Sequence, residues 1–457
     1  MRLPKSIIVR AVGFVGLAFG CAQLYHPELP NPPVTADVAL PPEVGAILRR
    51  ACYDCHSNET KLRWYDEVAP AYWLVSRDVR GGRSRLNFSE LASAPANAQK
   101  ARLYAAVNQV RLGAMPPTQY TAIHRGAVVT QDEIAVLESY LHPASGDRPL
   151  TRQPASAASA PPQPVSPPKP RGPIAPAPNG LAFFADYADW KAISTTDRFD
   201  NDTLRAILGN DVAMRAIAGG TIEPWPDGAA FAKVAWAQRP GPGGVVSSGE
   251  FKQVEFMVKD ARKYAATDGW GWGRWLGDGL TPYGGGNAAF VTECTGCHAP
   301  MHANDFVFTM PLAARPSSEL WNAKAALPTD GLPFPAQSWR VISSGLHPAD
   351  DTMSTLYGND AAVAHARSGT AEPYPAGAAL ARVTWARQPD AHWFGGRIPG
   401  DVRSVEIVTS TGAPGTREAF TYQAFEGAPL RVSSAIGETM RSDRIADIAG
   451  TVAAAMP

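Results

Sequence analysis

Trp225-Pro-Asp-Gly-Ala-Ala-Phe-Ala-Lys233-Val-Ala-Trp236 is followed, later in the same chain, by Tyr374-Pro-Ala-Gly-Ala-Ala-Leu-Ala-Arg382-Val-Thr-Trp385. The offset is 149 residues, counted from Lys233 to Arg382, and it also carries Trp190 onto Trp339, Thr203 onto Thr352 and Gly209-Asn210-Asp211 onto Gly358-Asn359-Asp360. After a shift of two residues, Val254-Glu255 maps onto Val405-Glu406. Self-similarity at a fixed offset marks a duplication, here of one domain spanning about 181–327 and 328–457. In the first copy, Phe231 to Trp236, Val254 to Val258 and Trp270-Gly-Trp-Gly-Arg-Trp275 predict strands, and Leu204 to Ala218 predicts a helix. Both copies are therefore expected to be α+β and rich in sheet. Packing of the core is the expected role of Trp270, Trp272 and Trp275.

Upstream, the chain reads differently. Residues 40–55 and 131–141 space Val44, Ile47, Leu48 and Ile134, Leu137, Leu141 as helices do, so a mainly α domain is expected over 27–146. Between it and the duplication lies a Pro/Ala-rich linker, 147–180, whose Pro-Pro-Gln-Pro and Pro-Pro-Lys-Pro predict an extended, semi-stiff spacer. Residues 1–26, with Arg2, Lys5 and Arg10 before the apolar run Ala11 to Ala22, read as a signal peptide or membrane anchor. Cys21 ends that run as a lipidation site or an ordinary anchor cysteine. The whole is a multidomain chain of 457 residues, consistent with about three domains at roughly 150 residues each. With 42 basic and 42 acidic residues it has no net charge and no basic stripe for nucleic acid.

Four of the five cysteines fall in two CxxCH motifs, Cys52-Tyr-Asp-Cys55-His56 and Cys294-Thr-Gly-Cys297-His298. The motif attaches haem through both thiols and ligates its iron through the histidine. A redox CxxC calls for a thioredoxin-like βαβ setting, which neither flank shows. A zinc ribbon wants its second pair about 15–20 residues on, whereas 239 residues separate Cys55 from Cys294. Two covalently bound haem c groups are expected, with His56 and His298 as axial ligands. For the first haem, Met115 in Gly113-Ala-Met115-Pro-Pro117 is the expected sixth ligand, because the prolines fix the loop that presents its thioether. His124 is the rival ligand. Covalent attachment takes place outside the bacterial cytoplasm, so both motifs and the N-terminal segment place the protein in the periplasm.

Two charges stand in apolar strands. Lys233 alternates with Phe231 and Ala235, and burial there would disfavour its ammonium and leave a nucleophilic amine beside the haem. The same pattern fits a lysine that snorkels to the surface, and periodicity alone favours that. Glu255 is read on one strand face with Phe251 and Met257, so it is expected to be buried with a raised pKa and able to take protons; a paired structural glutamate is the alternative. The second copy has Arg382 and Ser354 at the positions of Lys233 and Arg205 and no cysteine, so it is expected to be a haemless structural or docking copy.

Residues 181–312 resemble cytochrome P-460 in Trp225-Pro-Asp-Gly228 with Lys233, in Val254-Glu255 with Val258-Lys-Asp260, in Glu293-Cys-Thr-Gly-Cys-His298 and in Asp305-Phe-Val-Phe-Thr309. The resemblance implies a haem with an open face opposite His298, cross-linked to Lys233, that oxidises hydroxylamine; Glu255 matches the family's distal glutamate and Arg205, more weakly, a pocket arginine. Residues 30–142 resemble a family of small membrane-tethered single-haem domains, through Ala51-Cys-Tyr-Asp-Cys-His-Ser-Asn-Glu-Thr60 and Met115-Pro-Pro-Thr-Gln-Tyr-Thr-Ala-Ile-His124. The expected function is that of a periplasmic dihaem cytochrome that passes electrons from the second haem to the first. A soluble periplasmic electron carrier, the membrane and a second copy in a homodimer are its expected partners. A nitric-oxide-binding protein like cytochrome c′-beta and a pure electron carrier are the alternatives.

Overall fold

The computed structural model describes residues 5–142, 172–284, 289–313, 320–328, 331–335, 338–370, 372–412, 419–433 and 437–457. The chain forms two compact units, Met1–Arg148 and Pro149–Pro457.

The first unit is helical: α1 (Lys5–Ala22), α2 (Pro42–Ala51), α3 (Tyr53–His56), α4 (Ala71–Arg85), α5 (Ala96–Arg111), α6 (Thr118–Ile123) and α7 (Gln131–Leu141). Helix α2 buries Val44, Ile47, Leu48 and Ala51, one face at helical spacing. Helix α7 starts at a capping box, Thr130 with Glu133, and buries Ile134 and Leu137. These faces close over Val79, Phe88, Leu91 and Tyr104, all fully buried. Helix α1 is apolar but exposed, with Phe14 and Leu17 about 70% accessible; among the described residues no helix is long and apolar enough to cross a membrane.

The expected linker lies outside the described residues through 171. Its remainder, 172–180, packs on the second unit instead of running free: Trp275 Nε1 donates to the Ala175 carbonyl (2.9 Å), Asn179 Nδ2 donates to the Trp272 carbonyl (2.8 Å), and Ala177 is 2% exposed.

The second unit repeats one plan twice. The first copy runs β1 (Lys191–Arg198), β2 (Thr203–Gly209), α8 (Asp211–Gly219), β3 (Ala230–Pro240), β4 (Val246–Lys259), β5 (Trp270–Leu276), β6 (Thr281–Pro282) and α9 (Ala289–His298). The second runs β7 (Arg340–His347), β8 (Thr352–Gly358), α10 (Asp360–Ser368), β9 (Ala379–Pro389), β10 (Gly396–Ser410), β11 (Phe420–Glu426), β12 (Arg431–Val432) and α11 (Glu438–Ala449). The strand order β1-β2-β3-β4-β7-β8-β9-β10 closes through a β10–β1 pairing into an eight-stranded antiparallel barrel. The joints are Val246↔Leu346 with Ser247↔Gly345, and Asp197↔Arg397 with Arg198↔Gly396.

Each copy supplies one edge to each joint, which makes the pair a pseudo-twofold dimer in one chain. Thr195 and Ser344 are equivalent positions, and their hydroxyl oxygens lie 3.5 Å apart. The tails cross over: Trp236 Nε1 donates to the Ala455 carbonyl (2.7 Å) and Trp385 Nε1 to the Ala325 carbonyl (2.9 Å). Inward-facing residues of both copies, among them Trp236, Phe256, Tyr357 and Trp385, form one core.

Two sequence expectations change. Leu204 to Ala218 is not one helix: Leu204, Ala206 and Leu208 alternate into the barrel from β2, and the Asn210 side chain caps Ala213 to start α8. Phe251 does not share a face with Glu255. A bulge in the β3–β4 pairing sets Phe251 opposite Trp236 and turns it into the barrel.

Because the core is shared, Trp385→Ala in the second copy is expected to cost about 3–5 kcal/mol and to lower the unfolding midpoints of barrel fluorescence and of the second haem's absorption together. Separate transitions for the two copies would contradict the shared core.

Candidate haem sites and the charged row beside the second

In the first unit the motif wraps around α3, with Cys52 at its N-terminus and His56 at its end. Gly82 of α4 packs on it so closely that a Cβ there would lie 2.4 Å from the Cys55 carbonyl oxygen. That approach brings the Gly82 and Leu86 carbonyls to 3.1 Å from His56 Nδ1. Carbonyls only accept, so Nδ1 carries the proton and Nε2 keeps its lone pair for iron. Burial lowers the His56 pKa, which keeps the ring neutral. Met115 lies half-buried in the turn between α5 and α6, its amide donating to the Gln109 carbonyl (3.0 Å). Tyr120 of α6 ties the following residues to the motif by donating to Asp54 (2.8 Å). His124 is engaged at both ring nitrogens, Nδ1 at 3.1 Å from the Tyr120 carbonyl and Nε2 at 3.3 Å from Asp66, and it stacks on Tyr120.

In the second unit, α9 carries Cys294, Cys297 and His298. Phe306, at φ 66°, turns its carbonyl to 2.7 Å from His298 Nδ1, again leaving Nε2 free. Burial lowers the His298 pKa to about 4. Asp305 gathers the motif pieces: it accepts from the Trp225 amide (2.9 Å), Lys259 Nζ (2.7 Å) and Trp270 Nε1 (3.3 Å). All four motif cysteines are unpaired. Burial raises the thiols of Cys52, Cys55 and Cys294 to about 12.

Beside α9, Lys233, Glu255 and Arg274 are register neighbours on β3, β4 and β5 and face outward from the barrel. Lys233 Nζ is 2.5 Å from Glu255 Oε2, and Arg274 Nε is 3.2 Å from Glu255 Oε1. Lys233 therefore does not snorkel away. Its side chain is 31% accessible, and desolvation lowers its pKa to about 8 against the pull of Glu255. Glu255 contradicts the expectation of a raised pKa. Burial pushes it up, but the charges of Lys233 and Arg274 outweigh that and hold it well below the usual carboxylate range. Lys233 is the strongest charge acting on the Cys297 thiol and Arg274 on that of Cys294. Arg205 stands on β2, not on a helix. It is 8% exposed, and burial lowers its pKa to about 9; it has no ion pair among the described residues.

Arg274 was not singled out from the sequence. A lone charge alternating with tryptophans is the same signal that marks Lys233. Trp270, Trp272 and Trp275 are core residues, yet Trp272 Nε1 is a buried donor without a partner among the described residues, and its ring centroid is 5.7 Å from that of His298. An orphan donor, an unpaired buried guanidinium, two unpaired thiols and a histidine with a free Nε2 fit a covalently held haem. The second copy repeats the row in altered form: Arg382 pairs with Glu406 (2.9 Å) and with Asp447 of α11, beside a cavity of about 210 Å³.

Comparison with known families agrees with this geometry. Residues 14–143 match the profile of a haem-binding domain, and residues 184–309 and 336–433 that of cytochrome P460. The two copies of the second unit are thus cytochrome P460 domains, the second of them degenerate, fused to a haem-binding domain, and the chain is a haem c cytochrome. Cytochrome P460 members are haem enzymes that oxidise hydroxylamine. No curated protein matches the chain.

Met115→Ala is expected to open the first haem to carbon monoxide, whereas His124→Ala leaves it closed. Difference spectra with the gas decide; the reverse pattern would assign the sixth position to His124.

Proposed function

We propose that the chain is a dihaem oxidoreductase that oxidises hydroxylamine at the haem held by Cys294, Cys297 and His298 and passes the electrons to the haem held by Cys52, Cys55, His56 and Met115. The observation that carries this reading is the Lys233–Glu255–Arg274 row beside the second CxxCH helix. When bound, the haem iron supplies the place where a small nitrogenous substrate coordinates and loses electrons. The side chains supply the rest.

Hydroxylamine must shed N–H and O–H protons as it is oxidised, and Glu255 is the carboxylate placed to accept them at Oε2. In the polypeptide alone, Lys233 suppresses its basicity. With its pKa already lowered to about 8, Lys233 gives up its proton readily, and a Lys233 whose nitrogen was bonded to the macrocycle would no longer act as a full ammonium on Glu255. The carboxylate then becomes a stronger base, while Arg274 still orients it. Arg205 adds a buried positive charge to the same face. In the haemless copy, Arg382 cannot deprotonate to make such a bond, and its counterpart of Glu255 stays locked in ion pairs.

The same reading puts the protein in the periplasm, tethered by α1 and discharging electrons to a soluble carrier. Rapid mixing of the oxidised holoprotein with hydroxylamine is expected to reduce the second haem first and the first haem after it. Glu255→Gln should slow this about 10²- to 10⁴-fold with both haems still attached. A second haem that binds nitric oxide but is never reduced by hydroxylamine would overturn the proposal.

A further inference from the structure

The loop that joins β9 to β10 in the haemless copy is Asp390-Ala-His-Trp-Phe-Gly395; its counterpart between β3 and β4 is Gly241-Pro-Gly-Gly-Val245. The first has three aromatic rings and the second none. The ring-free loop is exposed throughout, whereas His392 is 8% exposed. Pseudo-symmetry points the aromatic loop at the copy that keeps a haem motif, and the bare loop at the copy that has lost it.

The aromatic loop makes specific contacts there. His392 Nδ1 donates to the Phe308 carbonyl (2.6 Å), and Asn304 Nδ2 donates to His392 Nε2 (3.4 Å). The Trp393 ring meets the Phe308 ring edge to face at 5.7 Å, and the Phe308 ring meets the His298 ring in the same way at 5.1 Å. Trp393 is itself fixed: its Nε1 donates to Asp200 (3.2 Å), and the Arg198 guanidinium stacks over its ring at 4.3 Å. Phe306, two residues before Phe308, supplies the carbonyl that holds His298 Nδ1.

We propose that His392 and Trp393 of the haemless copy are positioning residues for His298: they clamp the Phe306–Phe308 segment, which sets the ring plane and the Nδ1 hydrogen bond of that ligand. This gives the degenerate copy a task in the haem site of its neighbour. It rests on His298 as the axial ligand of the second haem, as above, and not on any substrate. A firm Nδ1–H···O=C bond makes an imidazole a stronger donor and stabilises the oxidised iron. Loosening the clamp therefore raises the midpoint potential of the second haem and weakens its iron–histidine bond.

The test is a spectroelectrochemical titration of the full-length holoprotein, with resonance Raman spectra of the reduced second haem. Trp393→Ala and His392→Gln are expected to raise the second midpoint and lower the iron–histidine stretching frequency, with the first haem unmoved. Trp393→Phe, which keeps a ring against Phe308, is expected to restore much of both, and Pro242→Ala in the bare loop to change neither. His392→Gln is the mildest change and keeps the test open if Trp393→Ala fails to fold. A parent-like potential and Raman band in His392→Gln, and in Trp393→Ala where it folds, would overturn the proposal. A shifted potential in a protein that never oxidises hydroxylamine would support the clamp and sink the reaction.

Discussion

Two short antiparallel joints, β4 to β7 and β10 to β1, decide the architecture of the second unit. Neither copy could close a barrel alone, since each would leave two edge strands and an apolar sheet face in water. Pairing edge to edge joins β4 to β7 and β10 to β1 and buries both inner faces in one core. The outer faces are then free to differ. One carries the CxxCH helix and the row of Lys233, Glu255 and Arg274; the other carries α11 and the locked Arg382–Glu406 pair. Duplication has kept the half that folds and let the half that binds diverge.

The outer row sets the chemistry because three charges share little solvent. A lysine in that setting is easily deprotonated and its glutamate neighbour is not easily protonated. The two properties are linked through a single 2.5 Å contact, so a change in the bonding of Lys233 changes the basicity of Glu255. The degenerate copy shows what happens when an arginine takes the lysine's place: the charge becomes permanent and the carboxylate is fixed as a structural partner.

Much of this was legible in the sequence. The duplication, the CxxCH motifs, the three strands around Trp236, Val254 and Trp272 and the shared strand face of Lys233 and Phe231 follow from spacing and alternation. Leu204 to Ala218 did not, because an alternating strand and a short helix meet at Gly209-Asn210 with no loop between them, so their apolar residues run together as one pattern. The inward turn of Phe251 depends on a bulge, which period-two reasoning cannot see. The low pKa of Glu255 depends on charges from two neighbouring strands. The reach of His392 and Trp393 to Phe308 joins residues about 85 apart in the chain and follows only from closure of the barrel.

The most direct measurement is the mass of the haem peptide released by proteolysis of the holoprotein around Cys294 and Cys297. The account requires that this haem also hold the peptide containing Lys233, through a third covalent bond that Lys233→Arg abolishes while both thioethers persist. A haem joined to Cys294 and Cys297 alone, with Lys233 recovered as a free lysine, would contradict it.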